Sequence, residues 1–209
     1  MTKEQMLADL DYASQLAKDG ANTPLLGGSI GLMWGILLTL ILGYQYLILA
    51  QKISFPPETL AIAWIAYGVI GGTGSAILGR RIDRMPGANS VNNRVETYVW
   101  IMFVGAIVTT AIGSILNMLL GQGDQTVWNT VLVFAFAGQG MAYGIVAKLA
   151  KEKILHLASF ASFAFSAVVF MMIHDPVIYL IGSIGAVITI ILPNLILGAQ
   201  SKSVTAQHG

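Results

Sequence analysis

The sequence predicts an all-α membrane protein. The expected fold is a six-transmembrane-helix bundle of three hairpins with both termini cytoplasmic, preceded by a short amphipathic cytoplasmic helix. Three observations carry this reading. Six windows, 20–51, 59–79, 97–123, 125–147, 154–173 and 176–201, contain no Asp, Glu, Lys or Arg. A hydrocarbon core of about 30 Å takes roughly 20 helical residues at about 1.5 Å each, so every window is long enough to cross. Charged residues are 10% of the chain against about 25% in soluble domains, and the mean hydropathy is +0.73. Finally, the basic residues fall on alternate connections. Only helices or closed barrels satisfy their backbone in lipid, and these windows are too long for barrel strands.

The elements follow in chain order. Residues 1–22 read as a cytoplasmic amphipathic helix and linker. Thr2 followed by Gln5 makes a capping-box pattern, and Gly20 stands where a helix would stop. Between them Met6, Leu7, Leu10 and Leu16 gather on one apolar face, a candidate partner-docking surface. Segment 3–19 carries Lys3 and Lys18 against Glu4, Asp9, Asp11 and Asp19, a net of −2. Helices that lie on anionic lipid are normally basic, so this one is expected to dock on protein instead: the chain's own basic loops or a cytoplasmic partner.

Residues 23–200 form the bundle, with spans expected at about 25–50, 59–79, 97–120, 127–147, 154–173 and 177–198. Residues 201–209 are expected to be a disordered cytoplasmic tail. Lys3, Lys18, Arg80, Arg81, Arg84, Arg94, Lys148, Lys151, Lys153 and Lys202 would share one side, leaving Lys52 alone on the other. The positive-inside rule makes the basic side cytoplasmic, in a plasma membrane of the prokaryotic inner type. Short links such as 174–176 force antiparallel neighbours.

Small residues recur every fourth position. Gly27, Gly31 and Gly35 in the first span are a candidate helix-packing face, with a homo-oligomer contact as the alternative. Counting depth from the helix ends places Gln139, Thr109, Thr110, Tyr143 and Thr73 as a candidate mid-membrane polar site, with Ser162 and Ser166 near it. Pro193 removes a helical donor and frees the carbonyl of Thr189.

The exclusions are equally informative. No ionisable residue lies deep in any window, which argues against proton coupling. There is no cysteine, hence no disulfide and no thiolate. His156 and His174 would stand about 27 Å apart on a straight helix and cannot share a metal or haem. His174 beside Asp175 reads as a solvated turn. No catalytic residue, metal site, cofactor or nucleic-acid partner is expected. The expected partners are the lipid bilayer and a cytoplasmic or membrane protein. Two functions fit: an accessory or regulatory membrane subunit acting through its cytoplasmic face, or a small-solute permease, channel or membrane subunit of a multi-component transporter.

Overall fold

The computed structural model describes residues 5–7, 9–12, 14 and 25–207. All secondary structure among the described residues is helical, and six helices are long and apolar enough to cross a membrane. Residues 5–7, 9–12 and 14 are helical as well; Leu16 and the Thr2 cap lie outside the described residues.

Helix α1 spans Gly28–Leu49 and α2 spans Thr59–Ile82. Helix α3 spans Val91–Leu119, beginning six residues before the charge-free window. The cause is a cap and not a charge. The Ser90 hydroxyl accepts the Asn93 amide at 3.3 Å, and Asn92 and Asn93 are buried behind it. Helix α4, Gln125–Ala150, starts on an Asp124 cap that accepts the Thr126 amide at 2.8 Å. It stops at Lys151, whose φ of 58° is left-handed. Helix α5 is Lys153–Met171.

The sixth span has three parts: α6 at Val177–Ala186, a π-helical turn at Val187–Ile191, and α7 at Leu192–Gln207. The π turn lies just before Pro193. Proline has no N–H for the Thr189 carbonyl, and its ring crowds that carbonyl, so a locally widened helix absorbs the misfit. Helix α7 continues through 198–207, which contains no proline to stop it, so residues 201–207 of the expected tail are helical.

Helices α1, α4, α5 and the α6–α7 span form the interior, with α2 resting on α1 and α3 on α4. Two apolar clusters fill it. One joins Leu42, Leu132, Phe136, Val169 and Ile178 toward the 50–58 and 172–176 connections. The other joins Tyr143, Val146, Ala147, Leu155 and Ala158 toward the basic loops. Aromatic side chains seal α2 onto the bundle. Trp34, Tyr67, Trp64 and Trp128 meet edge to face in series, and the Trp64 indole N–H donates to Gln45 Oε1 at 2.8 Å.

Candidate functional site

Three polar regions stand out, and only one of them is at mid-depth. There, Gln139 of α4 is buried and its amide nitrogen donates to Ser162 Oγ at 2.9 Å and Thr189 Oγ1 at 2.7 Å. Each hydroxyl then donates within its own helix, Ser162 to the Ala158 carbonyl and Thr189 to the Gly185 carbonyl. Ser159 and Ser166 of α5 donate to the Gly140 and Val133 carbonyls of α4. The result is a strap joining α4, α5 and the π turn, in which the side-chain donors of Gln139, Ser159, Ser162, Ser166 and Thr189 are all paired. Among the described residues the buried side-chain polar atom lacking a partner is Asn117 Oδ1, near the far end of α3.

The other residues proposed for that site are elsewhere. Thr109 and Thr110 donate back to the Gly105 and Ala106 carbonyls of α3; Thr109 is exposed and Thr110 half-buried. Thr73 is exposed on α2. Tyr143 lies one turn from Gln139, buried, and its hydroxyl bonds with the Asn194 side chain of α7. Depth counting ranks residues along the membrane normal but carries no azimuth, so residues at one depth were dispersed around the bundle.

The second region closes the basic end. Asn93 Oδ1 accepts the Leu26 amide at 2.9 Å, and the Glu96 carboxylate accepts the Gly27 amide. Two side chains of α3 thus hold the chain where it enters α1, Asn93 just ahead of the helix and Glu96 on the N-cap Gly27 N–H, where a helix dipole favours negative charge. The glycine row is explained here. A Cβ at Gly27 would lie 2.7 Å from Glu96 Oε1, at Gly31 2.7 Å from Asn194 Nδ2, and at Gly35 2.8 Å from Ile190 Cγ2. The face carrying Gly27, Gly31 and Gly35 is therefore covered within the chain by α3, α7 and the π turn. Against family models, curated proteins and solved structures, the chain matches none. Function has to be read from the sites alone.

The chain enters the bundle at the Leu26–Gly27 clamp, at this basic end, and the N-terminal helix precedes that point in the sequence. Its Met6, Leu7 and Leu10 are 51%, 58% and 66% exposed. Arg84 and Lys151 on the adjoining connections, and Arg80, Arg81, Arg94, Lys148 and Lys153 in the helix ends beside them, are also exposed.

The third region lies at the opposite end. Asp124 accepts both the amide and the hydroxyl of Thr126, and these bonds, with His174 nearby, hold its carboxyl below the usual range. Thr126 Oγ1 and His174 Nδ1 are 3.2 Å apart. Next to them Asn129 donates to the Ile173 carbonyl at 2.6 Å and accepts the Tyr179 hydroxyl. Gln45, Asn129 and this relay were absent from the sequence expectations. Their signal was a lone amide or threonine near a helix end, a pattern too common to single out.

Proposed function

We propose that the chain is an accessory or regulatory subunit of a plasma membrane that works through its cytoplasmic face. In this reading the basic end is cytoplasmic, and the N-terminal helix is the element that docks on a protein partner. One observation carries it: the apolar side chains of that helix stand in the open, with Met6, Leu7 and Leu10 each more than half exposed. Covering such side chains releases about 25 cal/mol per Å² removed from water, which favours a partner surface. Segment 3–19 has a net charge of −2, so anionic lipid is a poor candidate and a protein surface a better one.

The interior supports the same reading. Gln139 spends its amide hydrogens on Ser162 and Thr189. Surface cavities of about 460 and 500 Å³ sit at connections 50–58 and 172–176, away from Gln139. Gentle extraction followed by mass spectrometry tests the proposal. The full-length chain is expected to bring down a stoichiometric protein that a version lacking residues 1–19 does not. Identical companions in both preparations would remove the reading.

One feature favours the permease alternative. The strap from Gln139 ends in a π turn, and π-helical turns are over-represented at functional sites. On that account Gln139→Leu stops solute uptake while the protein remains folded in the membrane.

A further inference from the structure

The α5–α6 turn presents two thioethers and an imidazole around one depression. Met171, Met172, His174 and Asp175 line a shallow cavity of about 500 Å³ at the end of the bundle opposite the basic loops. Met171 is 82% exposed, and Met172 and His174 are exposed as well. In a chain with no cysteine, thioethers are the available soft donors.

The imidazole has an orienting contact: Thr126 Oγ1 lies 3.2 Å from His174 Nδ1, and the Thr126 amide donates to Asp124 Oδ1 at 2.8 Å. A metal-binding histidine is commonly held in this way, one ring nitrogen on a polar partner and the other ligating. Asp175 Oδ1 accepts the Val177 amide at 2.8 Å.

We infer that Met171, Met172 and His174 form a binding site for a monovalent soft cation, Cu(I) or Ag(I). The ligands are the two Sδ atoms and His174 Nε2, with Thr126 and Asp124 as the relay that orients the ring. Cu(I) and Ag(I) prefer thioether sulfur over oxygen, so the two Met sulfurs are the donors that select them over Zn(II) and Ca(II). The site lies at the end of the bundle opposite the basic loops and does not depend on how the N-terminal helix acts.

The test is calorimetric titration of the full-length, tag-free protein in detergent micelles with Ag(I). The expected result is one tight site per chain, displaced by Cu(I) and unaffected by Zn(II). Met171→Leu/Met172→Leu is expected to abolish it. Leucine matches methionine in volume and both side chains are exposed, so the fold should survive. Thr126→Val is expected to weaken Ag(I) about tenfold through the orienting contact alone. Independently of any variant, carbon-13 methyl NMR of the wild type should show only the Met171 and Met172 signals moving on addition of Ag(I). Absence of binding, binding that survives in the double leucine variant, displacement by Zn(II), or movement of other methionine signals instead would each overturn the site.

Discussion

Helices α4 and α2 are both apolar and glycine-containing, yet they do opposite things. Of the most apolar stretch of α4, 44% is buried inside the protein, and of the corresponding stretch of α2 only 6%. In α4, a Cβ at Gly140 would lie 3.1 Å from Phe163 and one at Gly138 3.0 Å from Phe103. In α2, Gly68, Gly72 and Gly79 have nothing within 4 Å of such a carbon, although Gly71 is pressed against Trp34. Where lipid is as apolar as leucine, hydrophobicity does not separate a packed face from a lipid-facing one. A glycine row marks packing only when a side chain from another helix fills the space above it.

That contrast is open to direct attack. The largest effect is expected from Gly35→Leu, which drives side-chain atoms into Ile190 and Ile191; overpacking of this kind costs about 3 kcal/mol. The matched change Gly72→Leu on α2 should leave thermal stability in micelles within about 0.5 kcal/mol. Equal losses at both positions would abolish the distinction.

Next is Gln139→Leu, which removes two interhelical bonds worth around 0.6 kcal/mol each, so about 1 kcal/mol in a denaturation midpoint shift. A shift several times larger would mean the strap does more than join helices.

Lys151→Gly acts at an α4 boundary in the opposite direction. Relieving a left-handed non-glycine residue should raise stability by up to about 1 kcal/mol, seen as a higher melting temperature. The smallest effect belongs to Thr109→Val on α3. Its hydroxyl serves only its own helix on an exposed face, and the change should fall within about 0.5 kcal/mol by the same melting assay.

The six spans were legible in the sequence because length and the absence of charge are one-dimensional signals. Helix ends were less so: the start of α3 follows the Ser90 cap and the buried Asn92–Asn93 pair, six residues ahead of the first charge-free position. Gln139 and Ser162 shared a depth in the sequence and are bonded in the structure, because a buried amide in lipid must find partners. Ser166 instead bonds the Val133 carbonyl, and the second partner, Thr189, carried no such mark. Thr109, Thr110 and Thr73 shared their depth but not their direction, since apolar residues surround every helix and leave no periodic mark of its inner face. The function of Gly27 was hidden for another reason. It depends on Glu96, which is distant in sequence and stands just outside the 97–123 window.

The account turns on which side of the membrane the basic end faces, because the proposed partner surface lies there. The chain contains no cysteine, so single cysteines give an unambiguous readout. Ser54→Cys and Asn89→Cys place one thiol at an exposed position on each end of the bundle. Labelling intact cells with a membrane-impermeant maleimide should modify Ser54→Cys and spare Asn89→Cys until the cells are opened. Labelling of Asn89→Cys in intact cells with protection of Ser54→Cys would place the basic loops and the N-terminal helix outside, and the proposed function would fall with them.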